Sequence, residues 1–142
     1  MVCSMAPFEF FDHTADMGLR IQAPDLTQLF TDSALGMFSL MVPLDQFRPS
    51  DALDVLLEAP GAEELLWKWL RELHYLFSTQ KFVCRQFEFK ELSEKMVWAT
   101  CWGGYFDPQK HASEREVKAV THHNFSVKKE AEGWKAEVIF DI

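Results

Sequence analysis

Phe8-Glu9-Phe10-Phe11-Asp12-His13-Thr14-Ala15-Asp16-Met17-Gly18-Leu19-Arg20-Ile21-Gln22-Ala23 decides how the rest of the chain is read. Phe8 to Phe11 and Gly18 to Ala23 have the length and apolar content of short strands, and the polar and small residues from Asp12 to Asp16 break them apart as a loop. The stretch Trp134 to Ile142 reads as a further strand. Its parity puts Trp134, Ala136, Val138 and Phe140 on one face and Lys135, Glu137, Ile139 and Asp141 on the other, so Asp141 points away from the aromatic side. If these first and last strands are neighbours, at least three carboxylates converge from the Asp12–Asp16 loop, the Asp141 side chain and the α-carboxyl of Ile142. Such a cluster repels itself unless a cation or a proton sits in it. An Asp-rich turn is ordinary by itself; beside Asp141 it becomes a candidate site for a hard divalent cation such as Ca²⁺, Mg²⁺ or Mn²⁺.

Working inward, Asp25-Leu26-Thr27-Gln28 has the form of a capping box, with Gln28 able to reach back to the cap. Leu26, Leu29, Phe30, Met37, Phe38 and Met41 then recur at helical spacing up to Pro43. Arg48 to Asp51 is a turn, and Leu53, Val55 and Leu57 alternate as a strand. Glu63 and Glu64 suit the positive end of a second helix whose apolar face runs from Leu65 to Phe77. Everything after Thr79 reads as sheet: Phe82 to Phe89, Met96 to Trp102, Val117 to Thr121, Phe125 to Val127 and, after a Glu132-Gly133 hairpin turn, Trp134 to Asp141. This order predicts an α+β fold, a single domain over residues 1–142 with a mixed or largely antiparallel sheet packed on two main amphipathic helices.

Composition narrows the function classes. The chain has 142 residues, 48% of them hydrophobic and 14% aromatic, enough for a packed core. A net charge of −8 repels phosphate backbones, so partners are expected to be proteins or metal ions, with no direct grip on nucleic acid. Cys3, Cys84 and Cys101 lack CxxC spacing, and the last two read as small buried hydrophobes. No apolar run has the length of a membrane span, and residues 1–7 lack the basic and apolar regions of a secretion leader, so a cytoplasmic protein is expected.

Other constellations are weaker. Gly103-Gly104 followed by Asp107-Pro108 marks a turn with Lys110 and His111 at its rim, and His122-His123 lies between strands with one ring inward and one outward. No serine sits in a GxSxG elbow and no Gly-rich phosphate loop precedes a helix. The chain looks underequipped as an enzyme, and no catalytic residue is assigned.

Laid out this way, the sequence resembles the archease family over essentially its whole length. The matching pieces are Phe10 to Gly18, the helix Leu66 to Phe77, Asp107 to His111, Val117 to His123 and Val138 to Ile142. The resemblance implies an accessory protein of the GTP-dependent RNA ligase that joins 3′-phosphate or 2′,3′-cyclic-phosphate ends to 5′-hydroxyls in tRNA splicing and RNA repair. Such a protein promotes guanylylation of the ligase and its multiple turnover. It also implies a divalent cation held by the second Asp of the first motif and the penultimate Asp, here Asp16 and Asp141, with Ile142 as a third oxygen ligand. Asp12, His13, Lys110, His111 and Lys118 fall on family positions that suit partner contact. The chain departs from the family at Gly103-Gly104, where Gly-Glu is frequent, and at Thr121-His122-His123, where Thr-Tyr-His is usual. Two other functions fit the same residues: a small metal-dependent phosphoester hydrolase using His111 as acid/base, and a metal-independent, chaperone-like binding module.

Overall fold

A computed structural model describes residues 8–13 and 16–142; the side chains of Asp12 and His13 lie outside that description, as do the leader reading of residues 1–7, Cys3 and the centre of the Asp12–Asp16 loop. In chain order the elements are β1 (Phe8–His13), β2 (Asp16–Ala23), α1 (Leu26–Met41), β3 (Asp51–Glu58), α2 (Ala62–Gln80), β4 (Phe82–Leu92), β5 (Met96–Tyr105), β6 (Ala119–Val120), β7 (Ser126–Glu130) and β8 (Gly133–Asp141). They form two sheets. One runs β1-β2-β8-β6, with β7 also on β8, and the other runs β3-β5-β4. Every described pairing is antiparallel.

The helices lie between the sheets. α1 touches β2 and β8 on one side and β4 on the other, while α2 touches β6 and β7 as well as β3, β4 and β5. That position explains why α1 is buried on almost its whole circumference, from Leu29 and Phe30 through Ser33 and Gly36 to Met41, instead of along one stripe. Trp69 of α2 sits at the centre, fully buried against Phe30, Phe87 and Phe89, and its indole N–H donates to the Phe30 carbonyl at 3.1 Å. From the sheet side Leu19 and Ile21 of β2 and Ala136, Val138 and Phe140 of β8 face the same core.

Four expectations need correction. The Asp12–Asp16 stretch is mostly strand, because β1 and β2 pair up to His13 opposite Asp16. Gln28 supplies only half of a capping box: its backbone N–H donates to Asp25 Oδ1 at 2.8 Å, but its side chain runs forward to Asp32 Oδ1. Gly103 and Gly104 belong to β5, not to a turn. A Cβ on Gly103 would collide with the Val83 carbonyl, so the glycine serves a close approach of the paired strands β4 and β5 next to the bulge at Arg85. That bulge also explains how Cys84 and Phe87, of opposite sequence parity, both carry apolar side chains toward the helices. Finally, β6 is only two residues long, Ala119–Val120, where a strand from Val117 to Thr121 was expected.

Gly133 has a strict backbone role. It closes the β7–β8 hairpin opposite Glu130 with φ +143°, and a Cβ there would strike the Ala23 carbonyl.

Candidate functional site

Register brings the two ends of the fold together. Asp16 of β2 is the direct cross-strand partner of Asp141 of β8. His13 follows on one side of Asp16 and Ala119 of β6 on the other side of Asp141, giving the row His13–Asp16–Asp141–Ala119 across four strands. Directly opposed residues share a face, with Cβ atoms about 4.5–5.5 Å apart. The neighbouring pairs Met17–Phe140 and Leu19–Val138 are of helix-facing parity. Asp16 and Asp141 therefore stand on the outer face, at the end of the sheet, both half-buried.

Around Arg20 that outer face is neutralised. The Phe11 ring covers Gly18, where a side chain would collide with it, and Gly18 is the register partner of buried Ile139. The Arg20 guanidinium lies 4.1 Å from the Phe11 ring centroid and pairs with Glu137 at 3.0 Å and Glu9 at 3.4 Å. The hydrogen bond to Glu137 holds the Arg20 pKa above its ordinary value. The carboxylate pair thus borders a charge-balanced patch, and further along the same face Lys135 stands opposite Lys128. Two like charges directly opposed in a sheet are unfavourable, and a cation with metal–oxygen distances of about 2.0–2.6 Å can touch both. Among the described residues no group of three or more His, Cys, Asp or Glu side chains gathers at ligand distance. Two carboxylates fit a hard cation that keeps several of its waters.

The third element at the tip is the 117–121 segment, and α2 positions it. His74 Nε2 donates to the Val117 carbonyl at 2.6 Å, and Trp67 Nε1 donates to the Val120 carbonyl at 3.1 Å. These side chains are seven residues apart on one helix face. So anchored, the segment presents the Lys118 N–H to the Asp141 carbonyl at 2.7 Å and the Thr121 N–H to the Ile139 carbonyl at 3.1 Å. Lys118 thus meets Asp141 through its backbone, and its exposed side chain has the opposite parity from Ala119, the residue that shares the face of Asp141. Sequence reasoning passed over His74 and Trp67; the signal was two aromatic N–H donors at i and i+7 on a helix otherwise rich in leucine. His122 stacks on the same Trp67 at 3.7 Å and, like His123, is exposed, so neither ring packs inward as expected.

Lys110 and His111 occupy a separate loop after β5. His111 Nδ1 accepts from the Asp107 N–H at 2.9 Å, its own N–H donates to the Asp107 carbonyl at 2.8 Å, and its ring packs 4.3 Å from that of Phe47. This puts the ring proton on Nε2 and makes His111 a staple of its loop. Lys110 is exposed on the same turn. Cys84 and Cys101 are free and buried, with burial pushing the Cys84 thiol well above its usual pKa, so they pack as hydrophobes. No described helix is long and apolar enough to cross a membrane.

Comparisons with known proteins converge on one family. Residues 8–142 match the model of the Archease protein family (MTH1598/TM1083). Protein archease of Methanosarcina acetivorans is 34% identical over 139 residues, covering 95% of each chain. The solution structure of protein 1598 of Methanobacterium thermoautotrophicum superposes with a TM-score of 0.78 at 30% identity, over 97% of this chain and 100% of that one. The crystal structure of a Thermotoga maritima archease, described as a possible chaperone, shares the fold with a TM-score of 0.66 at 16% identity, over 93% and 94% of the two chains.

Proposed function

The chain belongs to the archease family, and on that premise we propose that it is an accessory activator of a GTP-dependent RNA ligase that works through its Asp16/Asp141 tip. The observation that carries this reading is the register Asp16–Asp141, which pairs the two motif carboxylates on one outer face. Asp16 and Asp141 hold a divalent cation, with Ile142 offering a third oxygen. The cation supplies charge neutralisation where phosphate groups and a nucleophilic histidine must be brought together.

The chain's own residues do the rest. The neutralised surface around Arg20 and Phe11 leaves the carboxylate edge as the locally anionic feature, and the net charge of −8 steers it toward a basic, RNA-binding partner. His74 and Trp67 fix the 117–121 segment against the Asp141 end of β8. Lys118 serves as a partner contact near the tip, with Lys110 and His111 as a second contact loop, and Asp12 and His13 join them by family position alone. His111 is committed to Asp107 and Phe47, which favours an accessory role over hydrolysis with that imidazole as acid/base.

The test is guanylylation of the cognate ligase with GTP and Mn²⁺, in the presence of wild type, Asp16→Ala or Asp141→Ala. Both variants should fold, as judged by circular dichroism, and lose at least tenfold in the rate of guanylate transfer. Full stimulation by either variant would contradict the reading.

A further inference from the structure

The β3-β5-β4 sheet has its own outer face, turned away from the helices and distant in the topology from the Asp16/Asp141 tip. Register defines it: Ala52–Trp102–Gln86, Asp54–Thr100–Glu88 and Leu56–Trp98–Glu91, with Glu58 opposite Met96. Three of the largest exposed apolar groups of the described residues stand here, Leu56 at 60%, Trp98 at 37% and Trp102 at 37% exposure. Around them are the carboxylates of Asp54, Glu58, Glu88 and Glu91, with Lys90 on the face itself and Lys68 and Arg71 of α2 bordering its Leu56–Glu58 edge.

We propose that this face docks a cationic segment of a protein partner, an extended arginine- or lysine-bearing stretch whose charged groups seat on Trp98 and Trp102. The face already holds one cation by this chemistry. Lys90 Nζ lies 5.0 Å from the Trp98 ring centroid and 4.0 Å from Asp54 Oδ2. Asp54 is itself held in place, because its Oδ1 accepts from Thr100 Oγ1 at 2.8 Å. An incoming guanidinium stacks on indole better than an ammonium does and can take two carboxylate oxygens at once, so it displaces Lys90 from Trp98. Trp102 carries no internal cation among the described residues and is open to a second. The two indoles are four residues apart on one strand, about 13 Å, which matches two side chains four residues apart on an extended segment.

Charge selects this occupant over others. Indoles also stack on nucleobases, but four carboxylates repel the phosphates that accompany them. A second copy would set the same acidic face against itself.

The experiment is calorimetric titration of the full chain with hexa-arginine, hexalysine, hexaglutamate and a single-stranded oligouridylate, with sedimentation for self-association. Hexa-arginine should bind more tightly than hexalysine, and hexaglutamate and oligouridylate should not bind. Trp98→Ala/Trp102→Ala should weaken hexa-arginine about tenfold, Glu88→Gln/Glu91→Gln should weaken it severalfold, and Lys90→Ala should strengthen it. If the tryptophan variant fails to fold, the carboxylate variant and Lys90→Ala decide. Absence of hexa-arginine binding, affinity indifferent to these substitutions, or tryptophan-dependent binding of oligouridylate or of a second copy would overturn the proposal.

Discussion

The two sheets clasp the same helix layer, yet their outer faces are finished in opposite ways. On the sheet built around β8, Phe11 lies beneath Arg20, Arg20 is met by Glu137 and Glu9, and Ile139 is 2% exposed despite its outward parity. On the sheet built around β5, two indoles and a leucine stay open to solvent among carboxylates. The core needs neither finish, since both sheets bury their inner faces against α1 and α2. The difference therefore concerns what each face meets. One is closed around the Arg20–Phe11 patch beside a pair of opposed carboxylates, and the other is left open as a surface.

Matched substitutions in the two sheets break or sharpen this contrast. Gly103→Ala should be the most damaging, costing about 3 kcal/mol in denaturant unfolding, because the new Cβ meets the Val83 backbone, which cannot swing aside. Gly18→Ala should cost less, about 1–2 kcal/mol, because the obstacle is the Phe11 ring, and its displacement should unseat Arg20 from that ring. Equal losses at the two glycines would show that the Phe11 lid is as rigid as backbone.

The helix layer between the sheets gives a pH-dependent effect. Asp32 is 5% exposed, its Oδ2 has no protein partner, and burial raises its pKa above 3.8, against the Gln28 hydrogen bond. A raised carboxyl favours the folded state fully below its ordinary pKa and loses that contribution as pH rises through the folded value. Asp32→Asn should therefore stabilise the protein by about 1 kcal/mol at pH 7 and show no advantage near pH 3 in thermal unfolding. A smaller gain belongs to the tip, where Asp141→Asn removes one of two opposed like charges. Without divalent cation it should raise stability by about 0.5 kcal/mol, while abolishing any stabilisation by added Mn²⁺. A variant as responsive to Mn²⁺ as the wild type would move the cation site elsewhere.

Much of this arrangement was legible in the residues. Alternation in Trp134–Asp141 set the outward parity of Asp141, Asp25 marked the start of α1, and Pro43 bounded its end. What escaped depends on distant partners. Gly103 looks like a turn residue until the Val83 backbone of the paired strand is seen pressed against it, and α1 looks amphipathic until both of its sides meet a sheet. The Asp16–Asp141 opposition needed the strand to start at Asp16, two residues before the apolar run, because backbone pairing continues past the last residue that hydrophobicity marks. His74 and Trp67 act through carbonyls more than forty residues away, which no local pattern records.

The measurement that bears most directly on the carboxylate tip is multiple-turnover joining of a 3′-phosphate RNA by the cognate ligase, held limiting with GTP and Mn²⁺, with and without this protein. Stimulation by the wild type that disappears with Asp141→Ala, while the variant keeps its fold and its hexa-arginine affinity, is the predicted result. Undiminished stimulation by Asp141→Ala, or none by the wild type with a ligase shown to be competent, would contradict it.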